Sequence, residues 1–374
     1  MEHPMRLAAA AAALLAAACS ALLATGGGHH RGARVQPPAG YALPAEAVRV
    51  STASALAAAL DTPGRTIVLA DGRYDWARPL SVGAGTRLYA EHEGRAVLQA
   101  GVSVGRGAAV VRGIAFDISD GHKTHDRAAI SVWGAGQGTS VEDVSIEGNR
   151  KLSFGLLVRA ADGFVGRRIV ARNLTSDGIV IDTYPRRVRF VRAPVLSDLD
   201  VAHVARPRPR SSNGTSEACL WLAVTVSVDR ARVRDCAWTG VWVGFNAVGG
   251  HYDTLDIDGT PVGVYLEHYT TASTFSHLFV GHGVRVGVNC EWADPAYGRR
   301  PASVRNVIRD SVFESYETGV FMDEGTRLTS VVDSSFRGQR VAGIVDFRGR
   351  GNSYRGNDYA GITSPGVAVS HDHG

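Results

Sequence analysis

A short pattern recurs between residues 240 and 323, with GVWVG at 240–244, GVYLE at 263–267, GVNCE at 287–291 and GVFMD at 319–323. In each segment a glycine comes first, and apolar side chains follow at every second position. Because successive side chains of a β-strand point to opposite faces, the second and fourth residues of each segment are predicted to face one core. The pattern therefore predicts four equivalent strands.

Related segments extend this pattern in both directions. They are GLLVR at 155–159, GIVID at 178–182, ACLWL at 218–222 and GIVDF at 343–347. The steps between the first residues of the eight segments are 23, 40, 22, 23, 24, 32 and 24 residues. A step of 22–24 residues with two longer ones is typical of a coil repeat that carries loop insertions.

No helical stretch separates these strands, so a doubly wound α/β sheet is excluded. One strand from each coil stacks on the next to make a parallel sheet, and three such sheets enclose one core. The sequence therefore predicts an all-β protein, a single-domain right-handed parallel β-helix solenoid with a short N-terminal capping helix. Ser51 or Thr52 is placed to cap that helix, which we expect to run through Leu60.

The two ends of the chain carry other patterns. Residues 1–26 combine a basic start with an apolar run, as a signal peptide does, and Cys19 offers an alternative lipoprotein site. Residues 27–46 are rich in Gly, His, Arg and Pro and predict a flexible linker. We expect the solenoid over 47–362 and a C-terminal tail over 363–374. The signal peptide predicts a secreted or cell-surface protein, which is attached to a membrane only if Cys19 is lipidated.

Composition narrows the choice of partner. The chain has 374 residues, is 45% hydrophobic and carries a formal net charge of +4. So mild a basic excess indicates no nucleic-acid partner and leaves open whether a polysaccharide partner is anionic or neutral.

Beyond Cys19 there are three cysteines, Cys219, Cys236 and Cys290. An odd number in an exported chain predicts no disulfide framework, and we expect a monomer.

The chain resembles the pectin-lyase-like family of β-helix proteins over roughly residues 48–360. Its entry segment, ASALAAALDTPGRTIVLADGRYD at 53–75, is similar to the N-terminal cap of alginate-lyase-like and chondroitinase-B-like lyases. The resemblance implies the fold and a polysaccharide substrate. It also implies a lyase alternative, whose alginate-lyase-like branch uses a Lys and an Arg on the strands. Here no aligned strand position holds a Lys.

The outward positions carry the candidate chemistry. The fifth residues of three successive segments are acids, which we call the acid row: Glu267, Glu291 and Asp323. The third residues also face outward and add candidate substrate-binding side chains. These are Trp242, Tyr265, Asn289 and Phe321, with Arg159, Asp182 and Tyr184 at or beside the preceding segments.

Spacing makes the acid row a candidate catalytic site. Stacked strands lie about 4.7–4.9 Å apart. Glycosidase carboxylates lie about 5–5.5 Å apart in retaining enzymes and about 6.5–9.5 Å apart in inverting ones. Both separations are available in the row, and like charges on adjacent strands raise the pKa of at least one carboxyl. Glu291, with an acid on each side, is the central candidate.

Three functions therefore stay open. The first is a glycoside hydrolase that uses the acid row and needs no cofactor. The second is a polysaccharide lyase in which Arg159 or Arg187 neutralises the uronate, with Ca²⁺ held by the acids. The third is a non-catalytic glycan-binding or surface protein, because a β-helix does not imply catalysis. The insertions at 184–217 and 292–304 are predicted to wall the site, since loops on a rigid scaffold often carry function.

Overall fold

The alternating segments form one column of parallel strands. The computed structural model describes residues 43–105, 107–118, 123–134, 138–160, 162–182, 191–205, 217–244, 247–267, 269–291 and 303–370. Within them, twelve strands stack into one parallel sheet that contains all eight predicted segments in chain order. The other twenty strands form a second parallel sheet, so the predicted right-handed parallel β-helix is confirmed.

The described residues contain one helix and 32 strands. The helix, α1, spans Ala53–Leu60. The strands are β1 (Val48–Val50), β2 (Thr66–Leu69), β3 (Gly72–Tyr74), β4 (Leu80–Val82), β5 (Arg87–Ala90), β6 (Ala96–Leu98), β7 (Val102–Val104), β8 (Val110–Arg112), β9 (Ala115–Asp117), β10 (Ala128–Trp133), β11 (Ser140–Glu147), β12 (Phe154–Arg159), β13 (Val165–Leu174), β14 (Asp177–Asp182), β15 (Val195–Val204), β16 (Ala218–Leu222), β17 (Ser227–Cys236), β18 (Thr239–Val243), β19 (His251–Asp258), β20 (Val262–Leu266), β21 (Thr274–Ser276), β22 (Phe279–Val280), β23 (Val286–Cys290), β24 (Val307–Arg309), β25 (Val312–Phe313), β26 (Thr318–Met322), β27 (Ser330–Val332), β28 (Ser335–Arg337), β29 (Ala342–Phe347), β30 (Ser353–Arg355), β31 (Asp358–Gly361) and β32 (Val367–Ser370).

The twelve-stranded sheet, which we call the site sheet, has the predicted register over its C-terminal half. Val264 is level with Val288, and Val288 is level with Val320. The side chains predicted to face inward are fully buried there, as Leu266, Cys290 and Met322 show. Their burial stabilises each coil, because it removes apolar surface from water where the coil meets the coils above and below it.

The larger sheet contains two faces of the solenoid. In the long strands β11, β13, β15 and β17 the chain bends without leaving the sheet, at a residue with positive φ in the fourth position of each strand. These residues are Asp143, Arg168, Asp198 and Arg230. Their charges alternate, and Arg168 bonds Asp143 while Arg230 bonds Asp198. The two faces therefore merge into one continuous sheet that is held at the bend by a ladder of opposite charges.

The N-terminal end is closed as the sequence predicts. Thr52 is the N-cap of α1, and its hydroxyl accepts a hydrogen bond from the amide of Ala55 at 3.2 Å. Leu56 and Ala59 of the helix are buried against the first coils. The helix thus covers the apolar end of the solenoid.

Three predictions about the chain are wrong. In β16 the alignment on Ala218 is shifted by one residue, because Leu220 is level with Ile179 and Val241. Cys219 and Cys236 form a disulfide and leave Cys290 as the buried free thiol, although an odd cysteine count predicted no such pair.

The third wrong prediction concerns the C-terminal boundary. Strand β32 lies beyond the predicted end of the solenoid at residue 362, and it pairs in parallel with β29. The solenoid therefore continues through the region that the sequence assigned to a tail.

Candidate active site

The acid row lies at the ends of three neighbouring strands of the site sheet. The ladder of parallel hydrogen bonds continues through all three residues. The amide of Glu267 donates to the carbonyl of Val243, that of Glu291 to Leu266, and that of Asp323 to Cys290, at 2.8–3.0 Å. Each acid is therefore one strand from the next, which places adjacent rungs about 4.7–4.9 Å apart, as the sequence predicts.

Glu267 differs from the expected exposed acid because it is only 7% exposed. Its side chain lies over Gly244, the residue at the same position one strand earlier. A Cβ built on Gly244 would stand 2.2 Å from Oε2 of Glu267, so no larger residue fits there without displacing the carboxyl group. The indole Nε1 of Trp242 donates a hydrogen bond to the same Oε2 at 2.9 Å.

This environment favours the protonated form of Glu267. Burial is the main cause and raises the pKa of Glu267 to about 7. The nearby charge of Glu291 raises it as well, while the hydrogen bond from Trp242 lowers it. A carboxyl that titrates near neutrality can donate a proton at physiological pH, as a general acid must.

The other two acids have different surroundings. Burial raises the pKa of Asp323, and the charges of Glu324 and Glu291 raise it further, while the Glu324 amide bonds Oδ1 of Asp323 at 2.8 Å. Tyr265, on the preceding strand, stands beside Glu291, and burial and then this carboxylate raise the pKa of the Tyr265 phenol. The row therefore combines carboxyl groups whose environments differ, as acid–base catalysis requires.

Aromatic rings lie beside the acid row. Trp242 and Tyr265 are edge to face with ring centroids 5.2 Å apart. Trp238, from the turn before β18, stands 4.9 Å from Trp242 and 4.8 Å from Tyr265. Trp221 completes the cluster at 6.2 Å from Trp242. All but Tyr265, which is 8% exposed, keep an intermediate exposure.

Two members of this cluster were not predicted. Trp238 lies outside the strand segments on which the sequences were aligned, so the alternation gave no signal for it. Trp221 was predicted to face inward because of the one-residue shift in β16. Its position is level with Val180 and Trp242, on the outer face of the sheet.

Arg159 and Asp182 form a separate group at the ends of β12 and β14 of the site sheet. The guanidinium of Arg159 stacks on Trp133 at 4.8 Å and contacts Asp126 at 3.4 Å and Asp182 at 3.9 Å. Asp126 also accepts a hydrogen bond from the Trp133 indole at 2.7 Å. Arg159 and Asp182 are therefore held together. Two rungs separate Asp182 from Glu267, and Ala223 and Gly244 occupy them.

The remaining predicted residues have mixed outcomes. Asn289 and Phe321 lie on the outer face next to the acid row with intermediate exposure, as predicted. Leu157 and Val180 also point outward, yet they are buried in a small second apolar cluster. Tyr184, Arg187 and most of both insertions lie outside the described residues, so their role in walling the site stays a prediction.

A cation site was expected only for a lyase. Among the described residues, one group of acids and histidine brings its ligand atoms within 4.8 Å of one another: Asp71, Glu91 and His92. This group belongs to the first coils, on the larger sheet. Arg49 contacts Glu91 at 2.5 Å, and Arg95 contacts Asp71 at 3.5 Å. Across all the residues that the structure describes, no helix is long and apolar enough to cross a membrane.

Comparison with solved structures agrees with this architecture. The sequence matches no family model and no curated protein. The structure is similar to the catalytic unit of a thermostable GH87 α-1,3-glucanase from Streptomyces thermodiastaticus, with a TM-score of 0.58, 12% identity, and coverage of 87% of this chain and 70% of that one.

Two further structures are similar over most of their length. One is a PL6 alginate lyase in complex with a trisaccharide, with a TM-score of 0.54, 10% identity, and coverage of 86% and 87%. The other is PfbA, a surface adhesin of Streptococcus pneumoniae, with a TM-score of 0.52, 10% identity, and coverage of 84% and 93%. At these identities the likeness shows the fold, a pectin-lyase-like β-helix.

Proposed function

We propose that the protein is an exported glycoside hydrolase that cleaves a polysaccharide at the acid row. The observation that carries this proposal is the environment of Glu267, a buried carboxyl whose pKa is raised to about 7 beside two further carboxyl groups on successive strands. Glu267 acts as the general acid that protonates the leaving glycosidic oxygen.

The other two carboxyl groups supply the second half of the reaction. The backbone of Glu291 lies one rung from that of Glu267, close to the carboxyl separation in a retaining enzyme, so Glu291 is our candidate nucleophile. Asp323, two rungs from Glu267, is at the upper end of the separation for a base that activates water in an inverting enzyme. The row therefore offers a partner for the general acid by either route.

Three features support a glycan substrate outside the cytoplasm. The partly exposed rings of Trp221, Trp238 and Trp242 offer apolar faces on which a sugar ring can stack. The Cys219–Cys236 disulfide fits an oxidising compartment. Of the similar structures, the glucanase acts on a glycan and the lyase holds a trisaccharide.

The lyase alternative has less support. It needs a cation over the uronate carboxylate, and in this sheet Arg159 is the sequence candidate. Its guanidinium is already bound by Asp126 and Asp182. A lyase would therefore depend on residues other than this arginine or on a bound Ca²⁺ ion.

The products formed from a panel of neutral and anionic polysaccharides test the proposal. We expect new reducing ends without the ultraviolet absorbance of an unsaturated uronate. Substituting Glu267→Gln or Glu291→Gln is expected to lower the rate about 10²-fold or more with folding unchanged, because the amide keeps the shape but not the chemistry. Asp229→Asn, on the larger sheet, is the matched control and keeps full activity.

Two outcomes contradict the hydrolase. Absorbing products point to elimination, and binding without cleavage of any panel member points to a non-catalytic glycan-binding protein.

A further inference from the structure

Trp242 and Glu267 form a fixed donor–acceptor pair across two strands. The Trp242 side chain is level with Tyr265, and its Nε1 reaches forward to the carboxyl group at the end of that next strand. An indole nitrogen can donate a hydrogen bond but cannot accept one. Oε2 of Glu267 is therefore committed as an acceptor, and a proton on this carboxyl group is favoured on Oε1.

We propose that Trp242 is a positioning residue that selects the oxygen of Glu267 which carries the transferable proton. This inference rests on the proposed function, because it gives the general acid its orientation. It also changes the role of Trp242, which the sequence predicted as a platform for the sugar. Its ring remains beside the site, while its N–H sets the direction of the acid.

The same relation recurs one strand further along. Tyr265, level with Trp242 in the preceding strand, comes before Glu291 at the end of the following strand, and burial and then this carboxylate raise the pKa of the Tyr265 phenol. An aromatic side chain on one strand thus precedes a carboxylate at the end of the next, twice in succession. Trp221 occupies the equivalent position before Trp242, but the following strand offers Gly244 in place of a carboxylate.

Gly244 makes the arrangement possible. Its missing side chain leaves the space in which the Glu267 carboxyl group lies beside the Trp242 indole. Among the described residues, the neighbouring charge that adds to burial in raising the pKa of Glu267 is that of Glu291, one rung away. Loss of the Trp242 hydrogen bond therefore leaves burial and negative charge to raise the pKa of Glu267 further.

The test compares Trp242→Phe with Trp221→Phe. Both variants remove an indole from the same row, but only Trp242 donates to an acid, because the Trp221 Nε1 has no hydrogen-bond partner among the described residues. The Glu267 carboxyl carbon is titrated by NMR in glutamate-labelled protein without substrate, and its signal is assigned by its loss in Glu267→Gln. We expect the Glu267 titration to move up by about one pH unit in Trp242→Phe and to stay in place in Trp221→Phe.

Kinetics give the second measurement. In Trp242→Phe, kcat is expected to fall about tenfold or more with little change in KM, because the acid is no longer held in line with the leaving oxygen. The alkaline limb of the pH profile is expected to move up with the titration. Should Trp242→Phe fail to fold, Gly244→Ala displaces the Glu267 carboxyl group without altering the indole and is expected to lower kcat as well.

The possible failures are distinguishable. An unchanged Glu267 titration in Trp242→Phe, or a rise in KM alone, would overturn the positioning role and leave Trp242 as a sugar platform. Full activity of Glu267→Gln together with a shifted titration in Trp242→Phe would overturn the hydrolase mechanism, while Trp242 would still control the proton of Glu267.

Discussion

At the scale of single residues, the position of the acids was predictable and their environment was not. Strict alternation is enough to place Glu267, Glu291 and Asp323 on one face and one row. The burial of Glu267 depends on Gly244, a residue 23 positions earlier, and on the direction of the Trp242 indole. Neither is visible in a local pattern, because each arises only when two coils are stacked.

The raised pKa of Glu267 has a consequence for stability. Its folded pKa of about 7 lies above the ordinary glutamate value of about 4.3, so folding favours the protonated form. The contribution is complete below the unfolded pKa and is lost as the pH rises through about 7. Glu267→Gln mimics the protonated group. We expect it to match the wild type at pH 4 and to be more stable by about 1–3 kcal/mol at pH 9.

Denaturant unfolding at the two pH values measures this difference. Asp229→Asn serves as the control on the larger sheet. A Glu267→Gln effect of equal size at pH 4 and pH 9 would show that the carboxyl group titrates as an ordinary surface acid.

At the scale of elements, the register of β16 shows the limit of the repeat. Ala218 and Cys219 are both small enough for the position that glycine holds in the other strands, and both alignments give apolar residues inside. The structure places Cys219 level with Gly178 and Gly240. There its sulfur reaches Cys236 at the end of the next strand, β17. The disulfide was missed because the cysteines were counted without the fold that pairs them.

This disulfide is expected to stabilise the middle of the solenoid. It closes a loop with a sequence separation of 17 residues between two buried positions. Replacing both cysteines by alanine should lower the free energy of unfolding by about 2–4 kcal/mol. A reducing agent should lower the unfolding midpoint of the wild type and leave that of the double variant unchanged. An equal response of both proteins would contradict the bond.

At the scale of the whole molecule, the repeat predicted the architecture because a solenoid is built from contacts between neighbouring coils. A pattern of 22–24 residues therefore carries the fold, although comparison with solved structures finds 10–12% identity. The end of the solenoid was placed too early, since residues 366–370, GVAVS, continue the glycine-led repeat 23 residues after Gly343 and β32 pairs with β29.

The proposed function depends on the whole molecule as well, since no single coil contains the candidate site. The proposed general acid, its carboxyl partners and the aromatic rings come from the coils of β16 to β26, which the solenoid stacks at a fixed spacing. The central claim is that Glu267, made protonated near neutral pH by this stacking, cleaves the glycan.

The dependence of kcat on pH, for the wild type and Glu267→Gln on the substrate that the panel identifies, tests this claim most directly. We predict that wild-type kcat falls tenfold per pH unit above about pH 7, as the Glu267 proton is lost. The variant should be slower by about 10²-fold or more and should lack this limb. A variant with full activity and the same alkaline limb would contradict the account.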